Sequence, residues 1–349
     1  MKPTFLAIGA GLISGLLVVA ALSGASIAVA YLTLVLPLPM LLAGLGLGTR
    51  AALIAALSGT FVAMTANPVS GLLFAALFAG PVWLVVRLTL TGPAGPVTVR
   101  PERDLEQDGP YQQEGPATQS TFQDRILGRT ENWAEEPGAK PRDAGWLPAG
   151  HVLAAVAVIS AVQIVGAALL TGGLEAAVVT YLTALADAIA APQGEEVLRE
   201  AILRATPFFP GSIAAFWALA LLVNAVLAQG LLAKGGHNLR PSPRLRELSL
   251  PDWLSWALVA VALVALVAPG ELEYIGRNLF LVLAVPFFFL GLSVVHKLAG
   301  MTPLPGALLS LVYLVVIFSG WFSLFIAGLG ILEQWVGLSK RMTPPAQNT

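Results

Sequence analysis

A chain of 349 residues that is 56% apolar and only 11% charged cannot cover the surface of a water-soluble protein, where charged residues usually make up about 25%. Its net charge of −1 gives no electrostatic pull towards nucleic acid, and the absence of Cys excludes disulfides, thiolate catalysis and Cys-ligated metals. The three His, His151, His237 and His296, lack the spacing of a helical zinc pair, so no cofactor or metal is expected.

Apolar stretches follow one another along the chain: Phe5–Leu22, Ile27–Leu47, Ala51–Ala66, Val69–Leu90, Pro148–Leu170, Phe208–Ala233, Trp253–Ala268, Asn278–Ala299, Leu304–Ser319 and Trp321–Leu338. Several match the roughly 20 residues that cross a hydrocarbon core, so the expected fold is all-α, a polytopic transmembrane helical bundle of about ten spans. Phe5–Leu22 exceeds the roughly 7–15 residues of a signal-peptide core and is read as a retained span. Threaded from an inside N-terminus, the 19 Lys and Arg all fall on one side except Arg199, Arg204 and Arg277. This is the positive-inside pattern of a multi-pass inner-membrane protein with both termini cytoplasmic. Trp83, Trp146, Trp253, Trp256 and Trp335 then mark the inner interface, and Tyr274 and Trp321 the outer one.

Four regions follow: N-terminal membrane helices over 1–90, a cytoplasmic loop over 91–147, C-terminal membrane helices over 148–338, and a cytoplasmic tail over 339–349. The loop is rich in Pro, Gly, Gln and charge, a composition that buries no core and is expected to be mostly disordered; Phe122, Ile126 and Trp133 are spaced for one short helix on the bilayer. Within the C-terminal region, residues 173–206 break the apolar pattern. Leu174, Ala177, Val178, Tyr181, Leu182, Leu185 and Ile189 recur at helical steps beside Glu175 and Asp187, Pro192 interrupts, and a charged second helix follows. Crossing here would put the later basic loops outside, so the segment is read as an amphipathic helix pair on the outer surface.

Polar residues inside the bilayer are the functional candidates, because each costs free energy to bury. They are Asn67, Gln163, Asn224, Ser293, His296 and Glu333. Asn and Gln in a span also serve as interhelical hydrogen-bond partners. Ser293 and His296 share a face without a third catalytic partner, and Glu333 is placed to pair with Lys340 or Arg341. Ala7, Gly11 and Gly15 form a small-residue face suited either to packing within the bundle or to docking a membrane partner. Walker, GxSxG and HExxH motifs do not occur in the sequence.

Pro207-Phe208-Phe209-Pro210, Asn224, the basic loop Arg240–Arg246 and Leu250-Pro251-Asp252-Trp253 together resemble the YybS-like bacterial membrane proteins of unknown function. Gly291-Leu292-Ser293-Val294-Val295-His296 and the closing Gly328-Leu329-Gly330-Ile331-Leu332-Glu333-Gln334-Trp335, followed by Lys340-Arg341, extend the likeness. That family is similar in turn to the substrate-capturing subunits of energy-coupling-factor transporters, which have fewer spans than this chain. The resemblance implies a membrane coupling subunit, or another membrane protein, docked on the Ala7-Gly11-Gly15 face, and an outer lid over 173–206. The leading expectation is a non-enzymatic inner-membrane protein, a solute-binding or transport-related subunit in contact with lipid and not with nucleic acid. The alternatives are a scaffold that recruits cytoplasmic partners through the 91–147 loop, and a lipid-acting enzyme built on Ser293, His296 and Glu333.

Overall fold

The computed structural model describes residues 3–22, 33–92, 145–189 and 195–342. The loop expected over 91–147 therefore lies almost wholly outside the described residues, as do the short helix at Phe122–Trp133, Pro192 and most of the 339–349 tail. Long Ala-, Leu- and Val-rich runs fold into helices, in which most backbone groups find their partners within the segment, with Pro81 inside α4 and Pro286 inside α10. In chain order these are α1 (Pro3–Leu22), α2 (Pro37–Leu47), α3 (Thr49–Ala66), α4 (Pro68–Thr89), α5 (Ala149–Thr171), α6 (Leu174–Ile189), α7 (Glu195–Ala205), α8 (Phe209–Lys234), α9 (Trp253–Val267), α10 (Glu271–Gly300), α11 (Pro305–Phe318), α12 (Phe322–Val336) and α13 (Leu338–Met342).

Among the described residues six helical stretches are long and apolar enough to cross a membrane: α1, α3, α4, α5, α10, and the run Arg199–Lys234 that joins α7 to α8. Four apolar helices, α2, α9, α11 and α12, are shorter. All ten coincide with an expected span, yet one expectation is corrected. Ile27–Leu47 is not a single helix where it is described: a 3-10 turn at Thr33–Val35 precedes the 11-residue α2. Pro37 and Pro39 carry no N–H to continue a helix from the preceding turn, and Pro at the first helical position starts a new one. The expected helix pair over 173–206 is present as α6 and α7.

α10 is the hub. It packs on α5, α8, α9 and α12, and 56% of its most apolar window is buried. At the α10–α12 crossing, a Cβ on Gly291 would overlap the carbonyl of Ile326, and one on Gly330 would overlap the carbonyl of Phe287 and reach within 2.8 Å of the Gly291 nitrogen. The two backbones touch because both residues lack a side chain. A second crossing joins α1 to α3, where a Cβ on Gly15 would lie 2.6 Å from the Gly59 carbonyl oxygen and one on Gly11 would meet Ala55 and Ser58. Lipid chains are as apolar as the helices, so close van der Waals contact of this kind drives their association.

The two ends of the bundle differ in charge. At one end, Arg240 reaches Thr89 at the close of α4, Gly150 in the first turn of α5 touches Ser249, Arg246 lies against Gly300 at the close of α10, and Gln334 in α12 donates to the Leu250 carbonyl. Arg50, Arg87, Lys234, Arg240, Arg244, Arg246, Lys297 and Arg341 belong to elements that finish or begin there. Trp256 and Trp335 meet at this basic end, 5.7 Å between ring centroids. The opposite end holds Arg199, Arg204 and Arg277 beside Glu175, Asp187, Glu196, Glu200, Glu271 and Glu273. Glu271 accepts a 2.5 Å hydrogen bond from the Leu174 N–H, which caps α6.

Arg240 is the largest fully buried side chain, 1% exposed. Its guanidinium donates to the Thr89 carbonyl at 3.0 Å and stacks 5.7 Å from Trp146, while its own carbonyl accepts from Gln229 at 2.6 Å and Asn238 at 2.9 Å. The residue thus ties the membrane helices on either side of the 93–144 segment to the basic loop. We expect Arg240→Ala to cost about 1.5–3 kcal/mol, the range for hydrogen bonds to a charged group, measured by unfolding of the purified protein in detergent. For the α10–α12 crossing, Gly330→Leu should destabilise by at least about 1–3 kcal/mol. Gly328→Leu, two residues away with nothing within 4 Å of its would-be Cβ, should be nearly neutral in the same assay.

Candidate functional site

A proline inside an apolar stretch deprives one carbonyl of its donor, and two intramembrane amides, Gln163 and Asn224, reach carbonyls of this kind. In α4 the turn Ala75–Ala79 is a π-helix, with the Gly80 N–H bonded to the Ala75 carbonyl five residues back. In that register the donor for Ala76 would be Pro81, which has none. Gln163 of α5 supplies it, Nε2 to the Ala76 oxygen at 3.1 Å. At the interruption before α2, the i→i+3 register of the Thr33–Val35 turn would serve Leu34 from Pro37, which carries no N–H, while Leu36 is the N-cap of α2. Asn224 of α8 donates Nδ2 to the Leu34 oxygen at 2.8 Å, and Ser14 of α1 donates Oγ to the Leu36 oxygen at 2.8 Å.

This interruption lies deep in the bundle. Asn224 is ten residues from Lys234 at the basic end, about 15 Å at helical rise and half of a hydrocarbon core of roughly 30 Å. Ser14 is at matching height on α1, and Ser14, Leu36 and Asn224 are 0%, 0% and 3% exposed. The Asn224 amide is oriented by chemistry: Leu34 and Ala220 both offer carbonyl oxygens, so the nitrogen must face them. Its Oδ1 is left buried with no partner. Two turns away on the same face of α8, the Trp217 Nε1 is a buried donor that also has none. The site therefore combines an unused acceptor with an irregular backbone, and the unused Trp217 donor lies about 10 Å along α8 from it.

The remaining sequence candidates fall elsewhere. Asn67 caps α4, accepting from the Ser70 N–H at 2.8 Å. Ala7, Gly11 and Gly15 are buried, and α3 of the same chain covers them, so the expected docking face is filled internally by the close α1–α3 crossing. At the basic end, Glu333 meets a residue that the sequence reading had not named. Its carboxylate accepts from the Ser339 N–H at 2.9 Å and from the Ser339 hydroxyl, which in turn receives a 3.0 Å bond from Lys297 Nζ. The His296 ring nitrogens face the Leu292 carbonyl at 2.9 Å and the Tyr313 hydroxyl at 3.4 Å, and the buried Ser293 hydroxyl has no partner. The suggested Ser293–His296 pair is therefore not hydrogen-bonded. Among the described residues no three His, Asp or Glu side chains come together to hold a metal ion.

One clamp was missed from the sequence. Asn278 is wholly buried and accepts from the Gly211 N–H at 2.7 Å while donating to the carbonyls of Pro207 at 3.1 Å and Tyr274 at 2.8 Å; the Tyr274 hydroxyl donates to Thr206 at 2.9 Å. It fixes the start of α8 against α10. The available signal was an Asn that follows an acidic, helix-starting Glu271 by seven residues, two turns inside the helix and on its buried side. If Gln163 serves the carbonyl that Pro81 orphans, Gln163→Leu costs about 1–3 kcal/mol. Combining it with Pro81→Ala, which restores an N–H, should then recover part of that loss in a double-mutant cycle read by unfolding in detergent.

The model of a family described as "Predicted membrane protein (DUF2232)" matches residues 147–333, from the start of α5 to the last turn of α12 and just over half of the chain. No curated protein and no solved structure matches it. The matched segment contains Gln163, Asn224, Asn278, Ser293, His296 and Glu333, together with the hub helix and its glycine crossing. The chain belongs to this family of predicted membrane proteins.

Proposed function

We propose that this chain is a non-enzymatic, solute-binding or transport-related subunit of the inner membrane, with the interruption at Leu34–Leu36 as the element that meets the solute. The observation that carries this reading is the Asn224 amide, bonded to Leu34 by its nitrogen and left with a buried, unused Oδ1 at mid-depth. Interrupted helices near the bilayer midplane are where transporters place solute and ion sites, using freed carbonyls and nearby polar side chains. Trp217 adds a ring and a donor on the same face. The likeness to YybS-like proteins and to capture subunits of energy-coupling-factor transporters supports the same reading. The sequence carries no P-loop, so energy for movement would come from a partner. With the Ala7-Gly11-Gly15 face covered by α3, the exposed apolar helix α11, which buries none of its residues, is the better contact for that partner.

The segregation of charge supports an orientation with the basic end in the cytoplasm and the α6–α7 pair outside. Reporter fusions after Ile202 and after Leu245 should then report opposite compartments, and the same compartment for both overturns the orientation. Full-length protein in detergent, screened by thermal shift against Na⁺, divalent metal ions and water-soluble vitamins, should be stabilised by one class. Asn224→Leu should abolish that ligand-induced rise whatever its own baseline stability. A flat response across the panel overturns the solute-binding reading.

A further inference from the structure

Below the interruption, α1, α2 and the end of α8 enclose a lateral groove of 580 Å³. Phe5 and Leu47 stand at its mouth on the basic end, and Ile13 and Pro39 at its deep end. Each pair of markers is eight residues apart, which makes the groove about 12 Å long at helical rise, close to the depth of one leaflet's hydrocarbon. The lining is aliphatic apart from Phe5 and from His237 at the mouth. Gly9 faces this space with nothing within 4 Å of its would-be Cβ, so no neighbouring helix requires a glycine there. Its missing side chain keeps the groove open, unlike Gly11 and Gly15 on the opposite face of α1, whose hydrogens are in contact with α3.

The occupant follows from width and charge. The volume over that length gives a mean cross-section of roughly 50 Å², wide enough for acyl chains. His237 lines the mouth and is exposed, and the exposed Lys234 and Arg50 follow the lining Leu232 and Leu47 by two and three residues at the same end of the bundle. Two cations and an imidazole at the headgroup level, with no Asp or Glu among the lining residues, favour a net-anionic phosphate headgroup over a zwitterionic one. We propose that this groove is a specific site for an anionic phospholipid of the leaflet at the basic end, with its acyl chains along α1 and α2 and its phosphate at His237 and Lys234. The site is separate from the solute reading: it stands if Leu34–Leu36 binds nothing.

The test uses full-length protein in detergent, incubated with phosphatidylglycerol or phosphatidylcholine and observed by native mass spectrometry. Phosphatidylglycerol should be retained about fivefold or more over phosphatidylcholine, as expected for at least one cation at the headgroup. Gly9→Phe, which fills the groove, should remove the retained lipid, while Gly166→Phe, at a position on α5 equally free of neighbours, should not. His237→Ala, an exposed change that leaves the helices intact, should lower the preference for phosphatidylglycerol without removing binding, which keeps the proposal testable if Gly9→Phe fails to fold. Equal retention of both lipids, or retention that survives Gly9→Phe, overturns it. So does a Gly9→Cys variant that forms a disulfide-linked dimer in membranes, since a second copy would then occupy the face; the chain has no Cys of its own to confuse that result.

Discussion

Hydrocarbon offers no hydrogen-bond partner, so every backbone carbonyl freed inside the bundle must be met by another part of the chain, at a cost of several kcal/mol if it is not. This constraint organises the polar residues. Pro81 orphans Ala76, and Gln163 answers from another helix; Pro37 orphans Leu34, and Asn224 answers from a third, while Ser14 adds a bond to the N-cap carbonyl of Leu36. At the opposite end, Asn278 meets both the free N–H of Gly211 and the carbonyl of Pro207, where α8 begins. Pro81 with Gln163, and Pro37 with Asn224, are therefore halves of one device. The proline opens the backbone at a chosen height, and the amide fixes which helix stands beside the opening.

Glycine performs the complementary task of choosing which helices touch most closely. Gly291 with Gly330, and Gly11 and Gly15 with Gly59, bring backbones into contact at the two tightest crossings. These contacts hold α12 on the hub and α1 on α3, one in each half of the chain. α8 then joins the halves, packing on α10 on one side and on α2 on the other, with Asn224 as the hydrogen-bonding link between them. The interruption before α2 is consequently held by elements from both halves, and a shift of either half is felt there.

The helices were legible because an apolar run of sufficient length has little else it can be, and the basic end was legible because charge stays out of hydrocarbon. Gln163 and Asn224 stood out as polar residues in apolar runs, and Pro81 was visible too. Their connection was not, because Gln163 and Ala76 are 87 positions apart and only packing sets which carbonyl an amide reaches. Ile27–Leu47 misled because hydropathy does not register that Pro37 and Pro39 withdraw two donors in succession. The Ser339 contact of Glu333 escaped the sequence reading for a local reason. Gly337 turns the chain in the left-handed region, φ 63°, and this brings the N–H and hydroxyl of Ser339 back to the carboxylate. The start of α10 was placed seven residues late because its first turns carry Glu271, Glu273 and Arg277, charged residues that project beyond the apolar run while remaining helical.

Among the buried polar atoms without partners, Asn224 differs in kind from the serines. A serine hydroxyl on a helix can rotate to donate to the carbonyl four residues back, as Ser160 does to Val156 at 3.0 Å, so the idle hydroxyls of Ser255 and Ser293 have a local outlet. An amide oxygen donates nothing, and the neighbouring backbone N–H groups of α8 are already committed to the helix. With its nitrogen held by Leu34 and Ala220, the Asn224 amide cannot turn over to use its oxygen without abandoning both bonds. That oxygen can be satisfied only by a donor or cation brought in from outside the helix. It is held beside the Leu34 carbonyl that Pro37 leaves without a donor, which is why the solute reading rests on Asn224 and not on the better-paired residues around it.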